Sequence, residues 1–156
     1  MEINYNSITH GKLQESEVFS IVYNTLRLNP HKYSLYVGTD SQVYDETKVA
    51  IVIILYEIGK GGKFFWHIDY ERNFFSLRER MFHEATQSIE LGKRLTNYLL
   101  DKDLEFDIII HVDLGRKGKT RDLINDIVGY VTAEGFAVEF KPDSIAASVV
   151  ADRYSK

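Results

Sequence analysis

The sequence predicts one α/β domain: a five-stranded mixed sheet in the order 3-2-1-4-5, flanked by helices and preceded by an extra N-terminal helix. Three observations carry this. Three runs rich in β-forming residues follow one another over residues 33–70, joined only by short polar or glycine-rich links. The hydrophobic period then switches from strand-like to helical over residues 76–100. After that, two short apolar runs alternate with helical stretches, the pattern of parallel strands joined by crossovers.

Each element has its own reason. From Leu13 to Leu28, the residues Val18, Ile21, Val22, Leu26 and Leu28 recur near a helical spacing. Asn29-Pro30 ends that helix, because proline disfavours the helical conformation in the residue before it. Residues 1–30 are therefore expected as a helical extension packed on the edge of a single domain spanning 1–156. The first strand is Tyr33 to Thr39. The second, Val49 to Ile58, is continuously apolar, as a strand covered on both faces would be. The third, Lys63 to Tyr70, alternates, with Phe64, Trp66, Ile68 and Tyr70 on one side. Gly59-Lys60-Gly61-Gly62 reads as the hairpin loop between them.

A long helix follows from about Ser76 to Leu100, with Leu77, Met81, Ala85, Ser88, Leu91, Leu95 and Leu99 on one face. Phe106 to Val112 is the fourth strand. Thr120 is placed to cap a helix from Arg121 to about Ala133, stopped by Gly135. Phe136 to Lys141 is the fifth strand, ended by Pro142, and the chain from Ser144 favours helix.

Composition narrows the function classes. The 156 residues contain no cysteine, which removes disulfides, thiolate metal sites and a cysteine nucleophile together. No apolar run approaches the roughly 20 residues that span a bilayer, and the first residues lack the plan of a signal peptide, so a cytoplasmic protein without membrane partners is expected. The net charge of −4 and the pI of about 5.7 argue against holding nucleic acid by bulk basicity. They leave open an enzyme acting on nucleic acid, whose metal-binding acids would themselves be negative.

The predicted topology brings particular acids together. Strands one and four are expected as parallel neighbours, and the sheet order reverses between them, where open sheets place their ligands. Asp40 in VGTDSQ and Asp113 in HVDLG stand at those two strand ends. Glu84 falls on the inward stripe of the long helix; its alternative is an ion pair with Arg80 one turn away. Asp152 shares a helical face with Ile145 and Val149, or pairs with Arg153 beside it. Asp143 ends strand five, or caps the last helix. Acids gathered in a partly buried site repel one another unless divalent cations hold them.

These residues resemble the ribonuclease H-like superfamily over about Tyr33 to Lys156. VGTDSQ is similar to the first-strand TDGS of type 1 ribonuclease H, Glu84 matches the acid of the first core helix, HVDLG matches the end of strand four, and VVADRYSK is similar to the closing-helix ADRLA pattern. KPDSIAASVVADR together with GTDSQ is similar to a small bacterial family of uncharacterised ribonuclease H-like proteins. The resemblance implies a core of β-β-β-α-β-α-β-α and a nuclease active on RNA or DNA phosphodiesters. It implies that Asp40, Glu84, Asp113 and Asp152 bind Mg²⁺ or Mn²⁺, two ions roughly 4 Å apart. Asp143 stands where type 1 enzymes carry a flexible histidine that assists turnover. The basic handle that grips the hybrid duplex has no counterpart, so a hybrid substrate is not implied.

Directly after Asp113, Arg116, Lys117, Lys119 and Arg121 lie in a glycine-containing loop leading into a helix. Such a loop holds a backbone phosphate, or is an ordinary solvated loop; its spacing is not that of a P-loop. His111 and His83 neighbour the acids, whereas His10, His31 and His67 have no ligand spacing. Phe74 and Phe75 are expected to pack in the core. Two other functions fit the fold class: a non-catalytic nucleic-acid-binding or assembly module, and a phosphotransferase of the actin-like kind. The single core and the missing second domain count against the last.

Overall fold

The computed structural model describes residues 3–43, 45–74, 76–113 and 121–140. The expected closing helix from Ser144 and the Thr120 cap lie outside the described residues, as does Phe75. Seven strands and three helices are described: β1 (Asn4–Ser7), β2 (Gly11–Gln14), α1 (Glu15–Leu26), β3 (Tyr33–Val43), β4 (Thr47–Glu57), β5 (Gly61–Glu71), α2 (Leu77–Asp101), β6 (Ile108–Val112), α3 (Arg121–Ala133) and β7 (Ala137–Phe140).

The sheet differs from the expected one in strand number. It has seven strands in the order β2-β1-β5-β4-β3-β6-β7. The five expected strands are neighbours within it, and an N-terminal hairpin, β1-β2, is added beyond β5. The first 30 residues are therefore a β-β-α unit, not a helix alone. Their strands escape notice because NYNS and GKLQ are four residues long and mostly polar, and β1 touches β5 at a single registered pair, Asn6 with Trp66.

The three long strands pair antiparallel over their full lengths, β3 with β4 and β4 with β5. Their links are tighter than the sequence suggests, since the ladder reaches Val43 opposite Thr47 and Gly61 opposite Glu57. Gly59 adopts φ 82°, the left-handed region that a side chain resists, so the β4–β5 turn can close in so few residues. β3 and β6 run parallel, as do β6 and β7, with α2 and α3 as crossovers.

β4 is buried along most of its length, as its unbroken apolar run predicts. One of its faces joins Leu35, Val37, Ile53, Phe65 and Ile110 in the main core, and the buried residues of all three described helices belong to that same core. Val52 and Ile54 of β4 point the other way, packed with Tyr36, Tyr56, Phe64 and Trp66. The side of β5 that carries Phe64, Trp66, Ile68 and Tyr70 is the less enclosed one: Phe65 is fully buried in the main core, while Tyr70 is 56% exposed. Aromatic alternation marks a period of two; it does not say which of two apolar faces the helices cover.

α2 begins where Ser76 Oγ accepts the N–H of Glu79 at 3.1 Å, a side-chain cap. Gly92 sits inside this helix because a Cβ there would come within 3.0 Å of the Phe136 ring. α1 and the hairpin are anchored by one buried polar group. Glu15, 8% exposed, accepts Tyr5 Oη–H at 2.8 Å and Arg94 Nε–H at 2.7 Å. That arrangement pushes Tyr5 above its ordinary pKa, through burial first and the adjacent carboxylate second. No described helix is long and apolar enough to cross a membrane.

Candidate functional site

Two strands that end side by side position the first acids. Gly38 of β3 is registered with His111 of β6. Asp40 lies two residues further along β3, and Asp113 two residues after His111, just past the end of β6, so both come at the carboxyl edge of this strand pair. β6 stops at Val112, whereas β3 continues to Val43. Asp40 therefore lies within a paired strand, opposite Ala50 of β4. It is 8% exposed, and its Oδ1 accepts the N–H of Ser41 at 3.0 Å. Asp113 is half-buried.

The third acid comes from α2. Successive residues of a strand face opposite sides, so Thr39 and Ser41 turn toward the helix while Asp40 turns away. Thr39 Oγ1 and Ser88 Oγ share a hydrogen bond of 2.7 Å, and Ser41 Oγ donates to Glu84 Oε2. Glu84 is 4% exposed. It reaches the sheet at the residue next to Asp40, from the opposite face. The other sequence reading, a pair with Arg80, does not describe it: among the described residues Arg80 makes no ion pair, and its Nε has no hydrogen-bond partner.

His111 occupies the same sheet face as Asp40 and Asp113. Its ring centroid lies 4.3 Å from that of Tyr36, it is 5% exposed, and neither ring nitrogen has a hydrogen-bond partner among the described residues. Burial pulls its pKa down to about 4, so the imidazole is neutral near pH 7. Glu139 of β7 is registered opposite it. His83 pairs with Glu71 and lies against Phe74, ring centroids 4.8 Å apart, instead of joining Glu84. His67 Nδ1 and Asn4 O are 2.9 Å apart, and His10 stacks on Phe65.

The remaining expected site residues divide simply. Arg121 is the exposed first residue of α3. Arg116, Lys117, Lys119, Asp143 and Asp152 lie outside the described residues. Among the described residues, no group of three or more His, Asp or Glu side chains is arranged to hold a metal ion. Carboxylates are the donors that a hard divalent cation prefers; Asp40 and Glu84 are nearly buried, and Glu84 approaches β3 from the face opposite to Asp40. The hydroxyls of Thr39, Ser41 and Ser88 are the residues that the sequence did not single out. Ser41, next to Asp40 in VGTDSQ, was the available signal.

A family model described as "Ribonuclease H-like" matches residues 17–156. A relative from Bacillus subtilis (strain 168), "Uncharacterized protein YkuK", is 36% identical over 142 residues, covering 80% of this chain and 80% of the relative. No solved structure matches the chain.

Proposed function

We propose, from the premise that this chain belongs to the ribonuclease H-like family, that it is a divalent-metal-dependent nuclease hydrolysing RNA or DNA phosphodiester bonds. Residues 1–156 form its one domain. The observation that supports the reading is the β3–β6 register, Gly38 with His111, from which Asp40 and Asp113 each follow by two residues. The Glu84 carboxylate, reaching Ser41, adds weight.

In this reading Asp40, Glu84, Asp113 and Asp152 hold Mg²⁺ or Mn²⁺. When bound, such cations lower the pKa of a water that attacks phosphorus and stabilise the departing oxygen. The chain's own residues orient and shield. The Ser41 N–H fixes one oxygen of Asp40, and the Ser41 hydroxyl fixes Glu84, so one residue orders two carboxylates. Near burial of both strengthens their pull on a cation by excluding water. Asp143 assists turnover in this reading. Arg116, Lys117, Lys119 and Arg121 hold a backbone phosphate beside it.

The alternative reading is a non-catalytic nucleic-acid-binding or assembly module with this fold. One panel separates the two: single-stranded RNA, single-stranded DNA, duplex DNA and RNA–DNA hybrid, each incubated with Mn²⁺ or Mg²⁺. Cleavage of at least one substrate, lost with EDTA and in Asp40→Asn, supports the nuclease. Binding without cleavage supports the module. Equal cleavage by wild type, Asp40→Asn and Asp113→Asn marks a contaminant and overturns the nuclease.

A further inference from the structure

We propose that Arg80 is the group that receives a backbone phosphate of the nucleic acid at this site; the inference rests on the nuclease reading above. Two contacts fix how α2 lies on β3. Thr39 meets Ser88 at 2.7 Å and Ser41 meets Glu84, so the helix descends as the strand ascends. Arg80 is four residues before Glu84, one further turn along the same helical row and about 6 Å of rise beyond it. It therefore stands over the stretch of β3 that continues past the end of β6, on the helix-covered side of the sheet's carboxyl edge.

Two neighbouring side chains on this turn are already engaged. Arg78 Nη1 binds Asp126 Oδ2 at 2.8 Å and lies over the Phe82 ring, 4.9 Å from its centroid. His83 is paired with Glu71. Arg80 differs from both. Its Nε is buried with no hydrogen-bond partner, and Arg80 makes no ion pair among the described residues. The residue as a whole is half-buried, so part of it reaches the surface.

A guanidinium keeps its charge at every working pH, and its planar fork matches two phosphate oxygens. A donor left unmatched inside the fold is a feature native structures seldom keep without a use. The use follows from the charge around it. Asp40, Glu84 and Asp113 would repel an approaching phosphodiester, and a cation held one helical turn away opposes that repulsion. The class of ligand is thus a nucleic-acid backbone phosphate next to the one attacked, read without regard to base.

The test is fluorescence anisotropy with fluorescein-labelled 20-mers in the four forms used above. An Asp40→Asn background with Mn²⁺ keeps the probes intact. Adding Arg80→Gln should weaken binding about tenfold and lower the slope of log Kd against log salt by about one. Arg80→Lys should keep most of the slope, and in the otherwise wild-type enzyme should raise KM several-fold with kcat within about twofold. Unchanged Kd and slope in Arg80→Gln, with the parent binding well, overturns the assignment of Arg80 and leaves the nuclease reading standing. If Arg80→Gln does not fold, an unchanged KM in Arg80→Lys overturns it equally. A parent that binds none of the probes, with a wild type that cuts none, overturns the nuclease reading itself.

Discussion

Ser41 donates its hydroxyl to the carboxylate of Glu84, 43 residues further along the chain. The bond joins β3 to the longest helix, α2, at the residue beside Asp40. It makes the candidate site part of the core packing, because Glu84 is enclosed by the elements that it connects.

Removing that donor leaves a buried carboxylate short of a hydrogen bond. Ser41→Ala is expected to cost about 1–3 kcal/mol, a fall in Tm of roughly 3–10 °C for a domain of this size. Differential scanning calorimetry of Ser41→Ala beside Ser41→Thr, which keeps a hydroxyl, checks it. Equal Tm values for Ser41→Ala and wild type would mean that Glu84 draws nothing from Ser41.

Asp40→Asn and Asp113→Asn should separate activity from stability. Changing a residue that only supports a metal ligand commonly costs 10–100-fold, so changing a ligand itself should lower cleavage by about a hundredfold or more. Relieving repulsion between the two acids should leave Tm at or above that of wild type. A large fall in Tm in both variants would make these acids structural.

The hairpin anchor is a stability device remote from the site. Arg94→Met leaves Glu15 buried beside Tyr5 without its cation. Because Arg94 is about 43% exposed and so partly screened, the expected cost is about 1–3 kcal/mol. Tyr5→Phe should cost about 1 kcal/mol. Urea unfolding gives both values. Hydrogen exchange should quicken first in Asn4–Gln14, and uniform exchange throughout the chain would contradict the anchoring role.

The pH dependence of stability should carry the signature of His111. Its folded pKa of about 4 lies below the ordinary 6.5. Above pH 6.5 neither the folded nor the unfolded state holds the proton, and the contribution is fully present. Between 6.5 and about 4 the unfolded chain takes up a proton that the folded one refuses, so stability falls as the pH falls. The loss amounts to roughly 3 kcal/mol at most. Urea titrations at pH 7.5 and 4.5 should show it in wild type and show less of it in His111→Leu. The same loss in both would assign it to other groups.

Much of the fold was legible because it is written locally. The unbroken apolar run of β4 announced burial on both faces, and α3 lies where the capping and glycine signals put it, at Arg121–Ala133. Gly135 closes that helix in the left-handed region, φ 94°. The β1-β2 hairpin was not legible. Its short polar strands have little preference of their own and are held by docking on β5 and by Glu15, whose partner Arg94 is 79 residues away. Likewise the choice of Phe65 over Phe64 for the main core depends on where the helices land, and no alternation encodes that.

For the site, the sequence by itself determined the residue types, their place at strand ends or on a helix face, and the strand order that makes Asp40 and Asp113 neighbours. Local periodicity and chain connectivity suffice for that much. Only the tertiary structure decided that Ser41 holds Glu84, that Thr39 meets Ser88 and that Arg80 Nε has no hydrogen-bond partner among the described residues. Those outcomes depend on the register of α2 against β3, which is set by the packing of side chains more than forty residues apart.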